Sequence, residues 1–157
     1  MTTSASSNRW LTLLFQPTSD TTTGFQVALT ILRVVVSSLM IHNGLDKLAD
    51  VQGFATNVVA NGMGLPFPVF LTYCSAYAEI VGSILLILGL LSRPASLALV
   101  FTMGMAIYFH VHVDGLKIRS FETATLYGCS FLFFLVNGGG QYSLDAFISR
   151  QLGGSQE

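Results

Sequence analysis

Charge is what this chain has least of. Charged side chains make up 10 % of its 157 residues, against roughly 25 % in ordinary soluble domains. A soluble protein so poor in charge could not cover its own surface. No sign dominates either: the formal net charge of -1 removes the basic field that nucleic-acid binding requires. Cysteine is nearly absent. Cys74 and Cys129 are the 2 present, far apart and outside any CxxC pair, so they read as small apolar residues within helices rather than as a disulfide. Without a cysteine cluster or a nucleotide-binding glycine loop, there is no flavin, haem or iron–sulfur signature. The chain therefore has no means of carrying electrons alone.

What fills the sequence instead is apolar: 52 % hydrophobic residues and a mean hydropathy of +0.64. These residues gather into four stretches, 25–45, 68–91, 94–113 and 121–137. Each is long enough to cross a hydrocarbon core of about 30 Å, which takes about 20 apolar residues as helix. The expected fold is all-α, an integral-membrane bundle of four transmembrane helices with the lipid bilayer as its solvent. Residues 1–24 form a leader, 25–148 the transmembrane domain and 149–157 a C-terminal tail. Within the leader, residues 10–15 join Trp10 to Leu and Phe, a composition suited to a short segment in the headgroup layer. Pro17 and the Thr-rich run after it break the chain before the first span.

The connections are informative in their turn. Between spans one and two, residues 54–61 have enough apolar character for a short surface helix, which Gly62, Gly64, Pro66 and Pro68 then stop. Pro68 can open span two, where its missing N–H costs nothing. Spans two and three are joined so tightly, through Ser92, Arg93 and Pro94, that they form an antiparallel hairpin. Span four stops at Asn137 and three glycines, and a mildly amphipathic tail follows. Positive charge divides almost evenly between the two sides. The short loop holding Arg93 tips the balance toward cytoplasmic termini.

Ionisable groups inside hydrocarbon are costly and are functional hypotheses by default. Glu79 lies mid-span beside Ser75, Ala78, Gly82 and Ser83, a seam of small residues that lets another helix approach. By helical rise Arg33 stands about 12 Å above the cytoplasmic end of span one and Glu79 about 18 Å above it, within reach of each other. A buried Arg33–Glu79 pair is the structural expectation; a protonatable Glu79 in a proton path, or beside a quinone, is the functional one. Near the opposite boundary His42, Cys74, His110 or His112, and Glu122 fall at similar heights. Small residues on its helix face favour His110 over His112 as the inward ring. His42, His110 and Glu122, with Glu79, are thus the candidates to hold a quinone-like head group, whose carbonyls an imidazole can hydrogen-bond. The His-Val-His spacing matches no metal motif, and no metal site is assigned.

These residues also carry a resemblance. Arg33 followed by Ile41-His-Asn-Gly-Leu-Asp-Lys-Leu48 and Gly64-Leu-Pro66, then Ala78-Glu-Ile-Val-Gly82 and Leu88-Gly-Leu-Leu-Ser-Arg93, and last Asn137-Gly-Gly-Gly-Gln-Tyr-Ser-Leu-Asp145, resemble the DoxX family in order. The likeness covers residues 27–148, and the leader and first span look most like cyanobacterial members. Arg33, His42, Gly44, Lys47, Glu79, Arg93 and Glu122 fit family-pattern positions, while the pattern supplies no catalytic residue. The resemblance implies a four-span protein of the bacterial inner membrane, or of a thylakoid. It further implies a subunit of a quinone-linked oxidoreductase, passing electrons from a sulfur compound such as thiosulfate to the quinone pool with a soluble redox partner. A non-enzymatic accessory or scaffold subunit packed against a larger membrane complex is the alternative, and a carrier or channel would need an oligomer.

Overall fold

The computed structural model describes residues 22–153; the interfacial segment expected at 10–15 lies outside the described residues. Helix α1 runs Thr23–Ala49, α2 is the single turn Val51–Phe54, and a π-helical stretch Ala55–Gly62 continues it. Helices α3 (Pro68–Leu88), α4 (Ser92–Asp114), α5 (Ile118–Asn137) and α6 (Leu144–Gly153) follow. No strand occurs among the described residues.

Local chemistry explains most of the boundaries. The 27 residues of α1 would extend about 40 Å at helical rise, so this helix exceeds the hydrocarbon core and carries Lys47 toward its boundary. Asp50 then restarts the chain, its carboxylate accepting from the Gly53 amide at 2.9 Å as an N-cap. The expected surface helix at 54–61 is the wide-turned stretch, where Met63 N–H donates to Val58 O at 2.9 Å. Pro68 occupies the first turn of α3. At its other end Gly89, with φ 67°, closes a Schellman turn: Leu90 N–H donates to Leu85 O and Gly89 N–H to Leu86 O. Leu91 follows at φ 48°, a conformation a branched side chain adopts only under constraint.

Among the described residues three helices, α1, α3 and α4, are long and apolar enough to cross a membrane. The stretch expected as a fourth span is the helix α5, 20 residues long, whose first turns hold Arg119, Ser120, Glu122 and Thr123, which dilute its apolar character. Helix α1 packs along α3, α3 along α4 and α4 along α5, while α5 touches α1 only slightly. Leu29, Met40, Leu86, Leu99, Met103, Phe131 and Phe134 form the core. Larger apolar side chains point outward, among them Ile31 and Leu39 of α1, Phe70 and Val81 of α3, and Leu97 and Phe101 of α4. Apolar surface turned outward in this way suits lipid as solvent.

The pairing of α1 with α3 sets the register on which everything else depends. Gly44 lies so close to α3 that an added Cβ would sit 2.7 Å from Ile80 Cγ1 and 2.9 Å from the Ala76 carbonyl oxygen. Eleven residues back along α1, the Arg33 guanidinium lies against Gly89, eleven residues on from the middle of the Ala76–Ile80 contact. The two helices therefore run antiparallel in constant register. Their buried faces are stripes at heptad-like spacing: Gln26, Leu29, Arg33, Ser37, Met40 and Gly44 on α1, facing Thr72, Ala76, Glu79, Ser83 and Leu86 on α3.

Candidate functional site

Two charged clusters are buried at different depths of this helix pair. The first sits where both described termini meet. Arg33, 2 % exposed, donates from Nη1 to the Gly139 carbonyl and from Nη2 to Tyr142 O at 2.9 Å. Asp145, 3 % exposed, lies within electrostatic reach of the guanidinium. Its two carboxylate oxygens accept from the Leu91 and Ser92 amides at 2.7 and 2.8 Å. An anion on the N-terminal amides of α4 satisfies donors that no helix can satisfy internally. The Asp145 amide itself donates to Gly89 O at 2.9 Å, and Gln26 Oε1 accepts from the Gln141 amide at 2.8 Å. The glycine run is what allows this: Gly140, at φ 80°, lies against Leu29 and Gln26 with no room for a side chain. Residues 139–145, at the start of the tail, are thereby locked into the end of the helix stack.

The second cluster lies near the far end of α1. Glu79 is 1 % exposed, and its Oε2 accepts from Lys47 Nζ at 2.6 Å. The ammonium also lies 3.4 Å from Asn43 O and 5.3 Å from the centroid of the Phe54 ring, a cation–π distance. Lys47 keeps 15 % of its side chain accessible and Glu79 2 %, so the glutamate is the enclosed member of the pair. Gly44 makes this contact possible, because its bare backbone lies against the Glu79 Cβ.

The expected Arg33–Glu79 pair does not form. The α1–α3 register puts Glu79 level with Gly44, about 16 Å along the helix axis from Arg33, and each group takes another partner. Counting rise assumed that the two helix ends lie level, whereas Gly89, just past the end of α3, sits beside Arg33, ten residues into α1. Lys47 and Asp145 were the missed partners. Lys47 continues the i, i+4, i+7 stripe from Met40 and Gly44, a signal present in the sequence. Asp145 is reached through a glycine turn that periodicity does not register.

The boundary candidates bond within their own helices. His42 Nε2 lies 3.4 Å from Asp46 Oδ2 with 78 % of its side chain exposed. His110 Nδ1 lies 3.3 Å from Asp114 Oδ2. His112 stacks on Tyr108, 5.8 Å between centroids, Glu122 is exposed, and Cys74 is exposed and free. Helix α1, which carries His42, packs chiefly on α3, and α4, which carries His110, chiefly on α5, rather than on each other. Among the described residues no group of three His, Cys, Asp or Glu could hold a metal.

Comparison with known proteins fits this membrane architecture. The sequence model of the DoxX family matches residues 28–112. An "Uncharacterized protein" of Haemophilus influenzae is 37 % identical over 123 residues, covering 74 % of this chain and 87 % of that one. The "Inner membrane protein YphA" of Escherichia coli is 27 % identical over 126 residues, 76 % of this chain and 89 % of the relative. No solved structure matches the chain significantly.

Proposed function

Since this chain belongs to the DoxX family of membrane proteins, we propose that it is the membrane subunit of a redox assembly delivering electrons to the quinone pool, with Lys47 and Glu79 on its proton side. The observation that carries this reading is the 2.6 Å contact between a buried carboxylate and a lysine whose side chain stays 15 % accessible. Reducing a quinone takes up two protons with its two electrons. A partner subunit or soluble enzyme supplies the electrons, from a donor such as a sulfur compound. This chain supplies a carboxylate able to hold a proton at depth, next to a lysine that stabilises it when the proton leaves. His42, His110 and Glu122 face different ways and do not compose a closed head-group pocket, so no step is routed through them. The protein belongs in the bacterial inner membrane, with α5 as a fourth span and both termini cytoplasmic.

Activity in native membranes tests the reading. Glu79→Gln keeps the size and hydrogen-bonding capacity of the side chain but cannot release a proton. Quinone-linked oxidation of the donor is expected to fall about a hundredfold or more, in the range typical of a lost acid–base group, with the amount of protein unchanged. An undiminished rate sinks the proposal.

One observation favours a second reading, an accessory subunit in a larger membrane complex. Phe70, Tyr73 and Tyr77 present an exposed aromatic face on α3, with the two tyrosines stacked 6.3 Å apart. Purification from native membranes in mild detergent separates the readings. A co-purifying dehydrogenase or sulfurtransferase supports the redox assembly; a large complex without either supports the accessory role.

A further inference from the structure

Between the two charged clusters, the interior holds polar atoms that the fold leaves without partners. The hydroxyls of Ser37, Ser83, Ser92 and Ser96 make no hydrogen bond, nor does Nε of Arg33. All four serines are wholly buried. Other hydroxyls show that this is not the habit of the chain. Thr30, Thr72, Thr125 and Ser130 each donate to the carbonyl four residues back in their own helix, at 2.8–2.9 Å. That is the usual way for a hydroxyl to be satisfied in a helix.

The orphaned atoms are not scattered. Ser92 Oγ and the Arg33 guanidinium flank the same point beside Gly139. Ser37 lies one turn further along the buried stripe of α1. By the α1–α3 register it falls about two residues, roughly 3 Å, from the level of Ser83 on the facing stripe. Gly82 packs against Ala95 and Leu99, which brings Ser96 of α4 level with Ser83. One turn beyond Ser83, on the same stripe, is Glu79. From Arg33 to Glu79 no axial step exceeds about 6 Å, the span of one or two hydrogen-bonded waters at about 2.8 Å per bond.

We propose that α1, α3 and α4 bind a file of internal water along Ser92, Ser37, Ser96 and Ser83, linking the Arg33–Asp145 cluster to Glu79. Buried waters characteristically bond polar groups that the protein leaves unsatisfied. Here they complete each hydroxyl and give Glu79 a route for proton exchange toward the end of the helices that carries Asp145. Lys47, whose side chain stays 15 % accessible, holds the same carboxylate. The inference is independent of the redox reading: it concerns how the carboxyl is reached, and it holds for an accessory subunit as well.

Water-edited solid-state NMR on the full chain in lipid bilayers, with ¹³C-labelled serine and leucine, tests it directly. Magnetisation transfer from water to the Cβ signals of Ser37, Ser83 and Ser96 is expected to build up several-fold faster than to the methyls of Leu99, buried at the same depth. Transfer as slow as at Leu99 overturns the proposal. Ser37→Val puts a methyl in the file between Ser92 and the level of Ser83 and Ser96. Ser83 and Ser96 are then expected to lose their fast transfer. Undiminished transfer at both would show separately wetted hydroxyls and overturn a continuous file. Turnover is not read in either measurement, so the redox proposal stands or falls on its own.

Discussion

Arg33 and Glu79 each illustrate what a single buried charge demands. A charge taken from water needs a partner with good geometry, and removing that partner is far worse than removing both. Lys47→Met is therefore expected to lower the unfolding free energy in detergent by about 3 kcal/mol, and the double variant Lys47→Met, Glu79→Leu to recover most of the loss. Chemical denaturation of the two variants checks the pair. For Asp145→Ala the expected loss is about 3–5 kcal/mol, since two amides lose their acceptor and the guanidinium its counter-charge. A double-mutant cycle with Arg33→Met should show a coupling of about 1 kcal/mol or more, and strict additivity would remove the electrostatic link. The sequence displays both buried charges plainly, because an arginine and a glutamate within apolar runs cannot be overlooked. It does not display their partners, which depend on a register that no single helix encodes.

At the scale of elements, close contact between α1 and α3 rests on a missing side chain. Gly44→Ala puts a methyl into the space of Ile80 and the Ala76 carbonyl; such overpacking is expected to cost about 1–3 kcal/mol. Gly104, also helical, has nothing within 4 Å of an added Cβ, so Gly104→Ala should be neutral or stabilising by up to about 1 kcal/mol. Thermal unfolding of the two variants side by side distinguishes packing from propensity, and equal shifts would refute the close-approach argument. The helices themselves are legible: apolar runs, Pro68 at a start and glycines at the stops mark α1, α3, α4 and α5 within a few residues. The surface helix after α1 is legible too, though not its wide π-helical turn. Heptad-like spacing on α1 would have exposed Lys47 as a member of the buried face. Height along the helices puts His42 and Glu122 at one level; in the structure His42 lies beside Asp46 of its own helix and Glu122 is exposed.

Taken whole, the molecule is closed by its own end. Arg33 in the first helix is satisfied by carbonyls 106 and 109 residues later, and the α3–α4 hairpin is capped by a carboxylate more than 50 residues downstream. This closure was invisible in the sequence, where the glycine run reads only as a helix stop. It also sets an order of events during synthesis. Ribosomes add roughly 5–20 residues each second, so after Arg33 is made, roughly 5–20 s pass before Gly139 exists. Throughout that interval the first helix carries an unanswered guanidinium, which must be sheltered by lipid headgroups or by the insertion machinery. A nascent chain released before residue 139 should consequently be a preferred target for membrane quality control, whereas one ending just beyond residue 146 should survive. Birth, for this protein, waits on residues 139–145.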